Sequence, residues 1–103
     1  VALAYARQYE AAYPGESVTT FGGHAYDAVM ALAHAGDFAQ ERGALATKDI
    51  VVKRLALRDA LEGMGPFVGV GGVFDFTGTD HQGLDARAYV VAQIKDGAWH
   101  LAD

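Results

Sequence analysis

The stretch Phe21-Gly-Gly-His-Ala-Tyr-Asp-Ala-Val-Met-Ala-Leu-Ala-His-Ala35 places an aromatic residue and two glycines before an alanine-rich run. Alanine has the highest helix propensity of all residues, so the run predicts a long helix. The first turn of a helix has unpaired backbone N–H groups and a partial positive charge, which suit a polar or anionic ligand. We therefore predict a small-molecule site at Phe21, Gly22, Gly23 and His24.

The same residues also fit a purely structural role. Phe21 offers a flat apolar wall to a ligand, but an aromatic residue before a helix also serves as a hydrophobic staple. Gly22 and Gly23 allow backbone to approach closely. A neutral His24 imidazole could donate to a ligand carboxylate or bond to backbone. The pattern alone leaves these alternatives open.

Composition excludes several classes of protein. The chain has 103 residues, of which 51% are hydrophobic, so we expect at most one small core. Eight Lys and Arg stand against 13 Asp and Glu, and this net charge of −5 argues against nucleic acid or an acidic membrane face as a partner. There is no cysteine, so a disulfide scaffold is excluded. Val1 reads as helix interior, so we expect a piece of a longer protein.

Apolar periodicity before the glycine-rich run at residues 63–72 predicts three helices. They extend from Val1 to about Tyr13, from about Gly23 to Glu41, and from Thr47 to Gly63. Pro14-Gly15 ends the first helix, and Ser17–Thr20 is expected to be an extended connector. Thr47 is the expected N-cap of the third helix, with Asp49 in its first turn. The many alanines of the second helix indicate close packing against a neighbour.

Glycines and β-prone residues predict turns and strands after Gly63. Val73–Phe76 and Ala88–Ile94 are the expected strands, the second with apolar residues on both faces, as in a buried sheet. Lys95-Asp-Gly-Ala98 carries the Asp-Gly signal of a hairpin turn. Trp99 begins the returning strand, and we expect it to cap a small core.

Four segments together carry a resemblance to a known family. They are Tyr26-Asp-Ala-Val29, Leu57-Arg-Asp-Ala-Leu61, Gly72-Val-Phe-Asp-Phe-Thr-Gly-Thr-Asp80 and Tyr89-Val-Val-Ala-Gln-Ile-Lys-Asp-Gly-Ala-Trp99. In this order and spacing they resemble the C-terminal end of a type I periplasmic binding protein. The branch that they resemble contains receptors for branched-chain amino acids and for aromatic acids. Many relatives have Gly-Asp directly where this chain has Gly78-Thr-Asp80.

The resemblance implies an α/β fold of two lobes with a ligand in the cleft between them. This chain would be a partial type I fold, three helices followed by a short strand and a C-terminal β-hairpin. The helical part would be residues 1–63, and the glycine-rich turn and strands residues 64–103. By resemblance, Phe21 falls on an aromatic cleft position, Tyr26 packs in the hinge region, and Gly72–Asp80 is a connecting turn near the hinge.

The function implied by the resemblance is the substrate-binding component of an ABC uptake transporter. Such a protein binds a small amino acid or an aromatic or organic acid, works with a membrane permease outside the cytoplasm, and performs no chemistry. The alternative is a ligand-sensing domain of a signalling or regulatory protein, because the same fold serves both. The two differ in the sequence expected before Val1: a leader peptide in the first, a DNA-binding or membrane-spanning segment in the second.

No catalytic residue, metal or cofactor is predicted. The histidines, His24, His34, His81 and His100, show no close metal-ligand spacing. Asp80-His81 could serve as a general base, but Ser17 is the only serine and lies in no nucleophile elbow. The glycine-rich run lacks the Gly-Lys-Ser/Thr of a phosphate loop.

The chain on its own is expected to self-associate. In the family, the strands at residues 73–76 and 88–94 belong to sheets whose neighbours come from earlier sequence. Unpaired strand edges and uncovered apolar faces favour association with a second copy. We therefore expect a self-associating or loosely folded chain that binds ligand weakly on its own.

Overall fold

The computed structural model describes residues 1–102. Its helices are α1 (Ala2–Ala12), α2 (Thr20–Glu41) and α3 (Ile50–Gly63), and its strands are β1 (Phe67–Val68), β2 (Val73–Phe74), β3 (Ala92–Lys95) and β4 (Ala98–Leu101). A 3-10 helix, Ala86–Ala88, lies between β2 and β3. The strands form two separate antiparallel pairs, β1 with β2 and β3 with β4. The predicted α/β class, with three helices before a C-terminal hairpin, is confirmed.

Small side chains hold α2 and α3 together. Ala35 and Ala39 of α2 and Ala60 of α3 are buried and form one cluster, with Ala35 fully inaccessible at 0% exposure. Phe38 and Leu61 pack around this cluster. Alanine side chains let helix backbones approach closely, so the close packing predicted from the alanine content is confirmed.

The second helix begins earlier than predicted, at Thr20 instead of about Gly23. Thr19 is extended and acts as the N-cap, since its hydroxyl accepts from the Gly22 amide at 3.1 Å. The extended connector therefore ends at Thr19 rather than at Thr20. Phe21 and Gly22 consequently lie inside the first turn instead of in front of the helix.

The third helix is capped by Asp49 and not, as predicted, by Thr47. The Asp49 carboxylate accepts from the amides of Val51 at 2.8 Å and Val52 at 3.4 Å. The Thr47 hydroxyl accepts from the Asp49 amide at 3.1 Å, which supports the capping residue from outside the helix. A carboxylate one residue before the helix reaches two free N–H groups, and Thr47 lies too far from them.

The first helix is attached to the rest through tyrosines. It has no buried residue. The Tyr5 ring lies 5.0 Å from the Tyr26 ring of α2, and Tyr9 and Tyr13 extend this row of rings along α1. The helix ends before Pro14, as predicted. Tyr26 therefore packs on α1.

Two short strands and a phenylalanine cluster follow α3. β1, which the sequence did not predict, pairs with β2 in the register Phe67 to Phe74 and Val68 to Val73. The rings of Phe67 and Phe74 stack at 5.2 Å, with Phe76 against both. The predicted strand at residues 73–76 is thus shorter, ending at Phe74, which is buried and makes a further bridge to Leu84.

The strand predicted at residues 88–94 begins four residues later in the structure, at Ala92. The Asp85 carboxylate accepts from the Arg87 amide at 2.9 Å, and this hydrogen bond caps the N-terminus of the 3-10 helix at Ala86–Ala88. Residues 89–91 belong to no strand, although the Val91 carbonyl accepts from the Ala102 amide at 2.8 Å, and β3 starts only at Ala92. The hairpin turn is as predicted: Asp96 has φ 51° and Gly97 φ 76°, values that an Asp-Gly turn requires.

The hairpin is exposed on both faces, contrary to the predicted buried strand. Ala92, Ile94, Trp99 and Leu101 share one apolar face, since opposite residues in the ladder lie on the same side. Trp99 is 75% exposed, so its predicted role in capping a core is wrong. The described chain is elongated, 59 × 34 × 18 Å, with a radius of gyration of 17.4 Å against about 13 Å for a typical domain of this length.

Candidate functional site

The first turn of α2 has two different surroundings. Phe21 is 88% exposed. Gly22 lies against α1, because a Cβ placed on it would come within 2.9 Å of the Tyr5 hydroxyl. Gly23 is buried on another side, where a Cβ would come within 3.0 Å of Val70 Cγ1. Glycine at both positions therefore allows α1 and a later loop to approach the helix closely.

His24 contacts the loop of residues 69–72, which we call the glycine loop. A Cβ placed on Gly71 would lie 2.9 Å from His24 Cε1 and 3.1 Å from Nδ1. The His24 residue remains solvent-exposed overall. The structure therefore brings Gly23 and His24 to the glycine loop, while Phe21 and Gly22 lie on other sides of the same turn.

Asp27 is the buried polar residue that the sequence analysis missed. It is 3% exposed and lies one turn after His24. Its carboxylate accepts from the Val70 amide at 2.6 Å and from the Gly71 amide at 2.8 Å. A carboxylate accepts only, and both of its oxygens face a backbone donor. Asp27 thus attaches α2 to the glycine loop.

A signal for Asp27 was present in the spacing of α2. The buried positions of this helix recur every four residues: Gly23, Asp27, Ala31, Ala35 and Ala39. An acidic residue on a helix face of small buried residues needs a specific hydrogen-bond partner, because burying an unpaired charge is costly. The spacing thus indicates that Asp27 is buried and paired, although the partner is not identifiable from it.

The glycine loop is tightly closed. The Gly69 amide donates to the Gly72 carbonyl at 2.8 Å, and a Cβ on Gly69 would lie 2.7 Å from the Asp27 carboxyl carbon. Gly72 has φ 146°, and a Cβ there would meet Leu84 at 3.0 Å and Ala88 at 3.2 Å. The loop therefore contacts α2 on one side and the segment leading to the hairpin on the other.

A separate apolar cavity of about 360 Å³ lies between α2, α3 and the segment after β2. Ala28, Ala31, Leu32, Leu61 and Phe76 line it, together with Arg58, Glu62 and His81. His81 Nε2 lies 3.0 Å from Glu62 Oε1. This cavity contains none of the four predicted ligand residues.

The Asp80-His81 pair is not arranged for base chemistry. Asp80 binds the backbone of its own turn instead of the His81 ring, accepting from the amides of Gln82 at 2.9 Å and Gly83 at 3.1 Å. These two hydrogen bonds hold the pKa of Asp80 below its ordinary value of 3.8, and the bond from Gly83 contributes most. The pKa of Asp85 is also lowered, because its carboxylate accepts a hydrogen bond from the Arg87 guanidinium.

Two further observations concern the part of the chain that the structure describes. In residues 1–102, three or more His, Asp or Glu side chains nowhere gather closely enough to hold a metal ion. The helices of this part are all too short or too polar to cross a membrane.

Comparison with known proteins identifies the family. The family described as periplasmic binding protein matches residues 1–98. An extracellular ligand-binding receptor from Rhodopseudomonas palustris shares 31% identity at a TM-score of 0.77, over 98% of this chain and 27% of that chain. The extracellular ligand-binding receptor from Rhodopseudomonas palustris HaA2 shares 30% identity at a TM-score of 0.76, over 94% of this chain and 26% of that chain. No curated protein matches significantly.

The chain belongs to the periplasmic binding protein family. The resemblance drawn from the four sequence segments is thereby confirmed at the level of the family and its partial fold. The chain spans only 27% and 26% of the length of these two structural relatives. Both relatives are described as ligand-binding receptors, which is a binding role.

Proposed function

We propose that the complete protein is the substrate-binding component of an ABC uptake transporter. It binds a small amino acid or an aromatic or organic acid in a cleft between two lobes, performs no chemistry and delivers the ligand to a membrane permease outside the cytoplasm. The family match over residues 1–98 is the observation that supports this proposal most strongly. The net charge of −5 agrees with a small-molecule partner better than with nucleic acid.

Within this function, residues 1–103 form the C-terminal part of the two-lobed protein. Residues 1–63 contribute the helical part, and residues 64–103 contribute the glycine-rich turn and the strands. The near absence of contacts between helices and hairpin supports a division of the chain between two lobes, because α2 packs on α3 and β3 packs on β4. The segment at residues 85–91, inside residues 64–103, then connects the hairpin to the helices and to the glycine loop that packs on α2.

We place the ligand at the first turn of α2, on Phe21, Gly22, Gly23 and His24. Phe21 presents an uncovered aromatic ring, which suits the apolar part of an amino acid or aromatic acid. The positive end of the helix suits its carboxylate. The amides of Gly22 and Gly23 already donate to Thr19, so the helix dipole and not these two N–H groups supplies the attraction. His24, three residues later, offers a ring nitrogen at the same helix end.

Phe21→Ala in the complete protein tests the aromatic contact. We expect binding weakened by about 1–3 kcal/mol, the scale of one buried aromatic side chain. Thermal shifts with leucine and with benzoate first select the ligand class, and calorimetry then gives the affinity. Leu3→Ala, at an exposed position of α1, is the control. Unchanged affinity in Phe21→Ala with unchanged stability would reject Phe21 as a ligand residue.

His24→Gln tests the polar contact. Glutamine keeps a donor but does not titrate, so we expect a weaker affinity and a flatter pH dependence between about pH 5 and 8. If both the affinity and its pH profile stay as in the wild type, His24 has only a structural role.

A further inference from the structure

A single buried carboxylate connects the candidate ligand turn to the glycine loop. Asp27 is 3% exposed, and its two hydrogen bonds both come from backbone amides of the loop, Val70 and Gly71. These amides lie 43 and 44 residues away in sequence. The contact is therefore tertiary, and it joins two elements that the chain itself keeps far apart.

The loop is shaped to fit this carboxylate. Gly69 approaches so closely that a Cβ would lie 2.7 Å from Asp27 Oδ1, and Gly71 would place one 3.4 Å from Oδ2. An aspartate accepts from both amides, whereas an asparagine would turn an N–H₂ donor toward one of them. Burial of a charge is costly unless its hydrogen bonds are complete, so the acceptor pair is the specific requirement at this position.

The same side of the loop also contacts His24. Gly71 lies between the two side chains, since its Cβ position is 2.9 Å from His24 Cε1 and 3.4 Å from the Asp27 carboxylate. His24 and Asp27 are three residues apart on α2, so they lie on the same face of the helix. A shift of the glycine loop away from Asp27 would therefore remove the surface against which the imidazole rests.

We propose that Asp27 is a positioning residue of the candidate ligand site: its carboxylate holds the glycine loop against α2, and the loop fixes the His24 imidazole. Any effect of Asp27 on ligand binding rests on the function proposed above. The placement of the imidazole itself is independent of any ligand and is measured without one.

The test uses the complete protein with ¹³C-labelled histidine, in which His24→Gln identifies the His24 Cε1–H resonance. In Asp27→Asn we expect this resonance to move, and hydrogen exchange in the peptide covering the glycine loop to accelerate about tenfold or more. Asp37→Asn makes the same chemical change at an exposed position of the same helix, and it should alter neither signal. A lowered melting temperature with both signals unmoved would show that Asp27 only supports packing, and would overturn the proposal.

Gly71→Ala is the second variant, and it decides the matter if Asp27→Asn does not fold. It keeps Asp27 but forces the loop or the imidazole to shift, so the His24 resonance should move; an unmoved resonance would overturn the proposed contact. Failure of the binding proposal is distinguishable from failure of this one. If His24→Gln leaves the affinity for leucine or benzoate intact while Asp27→Asn still moves the His24 resonance, the assignment of His24 as a ligand residue is wrong and the positioning role of Asp27 stands.

Discussion

Two regions of the molecule differ in where their contacts come from: the helical layer, which consists of α2, α3 and the glycine loop, and the C-terminal hairpin, which consists of β3 and β4. In the helical layer, α2 and α3 bury Ala35, Ala39 and Ala60 against each other, and Asp27 adds the glycine loop. In the hairpin, the apolar side chains of both strands are exposed, Trp99 to 75%. The first region has a packed core within the described chain, although Val29 and Leu32 of α2 are 66% and 53% exposed. The second region has an apolar face but no core there. Of the two regions, only the helical layer therefore has a packed core of its own.

The largest expected effect tests whether the helical layer depends on close approach of the glycine loop. Gly69→Ala places a methyl group where the Asp27 carboxylate lies, 2.7 Å from its carbon. We expect a loss of about 1–3 kcal/mol in the free energy of unfolding, the usual cost of overpacking, measured by urea titration. Gly36→Ala is the control, since a Cβ there meets nothing within 4 Å.

The control should change stability in the opposite direction. Gly36 lies inside α2, where replacing glycine by alanine stabilises by about 0.5–1 kcal/mol. Equal stabilities for the two variants would mean that the glycine loop tolerates a side chain, and the contrast between a tightly packed layer and an open hairpin would lose its main support.

The second prediction concerns the hairpin face. The isolated chain should self-associate, and Trp99→Lys should weaken that association by about tenfold or more, equivalent to about 1.4 kcal/mol. Trp99 shares the apolar face with Ile94, while the neighbouring His100 pairs with Gln93 on the opposite face. Sedimentation equilibrium at micromolar concentration measures the effect.

His100→Lys adds the same side chain one residue later and controls for charge. It should leave association nearly unchanged, because it alters the polar face. A wild-type chain that sediments as a monomer would contradict the self-association prediction. An equal effect of both lysines would place the contact elsewhere than on the apolar face.

A smaller effect, about 1 kcal/mol, is expected at the N-terminus of α3. Asp49→Ala removes a carboxylate that accepts from the amides of Val51 and Val52. Thr47→Ala removes a hydroxyl that accepts from one amide outside the helix, and it should cost less. Thermal unfolding of the two variants compares them directly, and a larger loss in Thr47→Ala would restore the N-cap that the sequence predicted.

Local chemistry explains which parts of the fold the sequence could predict. Pro14 and Gly63 stand at helix ends, and Asp96-Gly97 adopts the positive φ values of a hairpin turn. Each of these signals acts within a few residues, so the helix order and the hairpin are readable without tertiary information. The starts of α2 and α3 were missed by a few residues because Thr19 and Asp49 were not assigned as caps.

Long-range contacts explain what could not be predicted. The partners of Asp27 lie 43 and 44 residues later, and nothing in its neighbourhood names them. The exposure of Val90 and Ile94 was missed because an apolar strand predicts burial without saying which chain segment provides it. For the candidate ligand site, the helix was predictable, and the contact of Gly23 and His24 with the glycine loop was not.

The smallest effect is expected at the turn that closes the region after β2. The amides of Gly83 and Gln82 lower the pKa of Asp80, so its ionised form stabilises the folded state. A depressed carboxyl pKa contributes stability above the ordinary value of 3.8, and this contribution is lost as the pH falls through the lower folded value. Asp80→Asn should therefore be less stable than the wild type near neutral pH, and this difference should vanish in strong acid.

Urea unfolding of both proteins across this pH range measures the difference, with Asp37→Asn as the exposed control on α2. The side chain of Asp80 is solvent-exposed, so we expect a small difference, below that of the buried contacts in the helical layer. A difference that persists unchanged in strong acid would mean that the hydrogen-bond geometry of the turn, and not the ionised carboxylate, is responsible. The turn would then hold the chain after β2 by shape alone, and its contribution would be independent of pH.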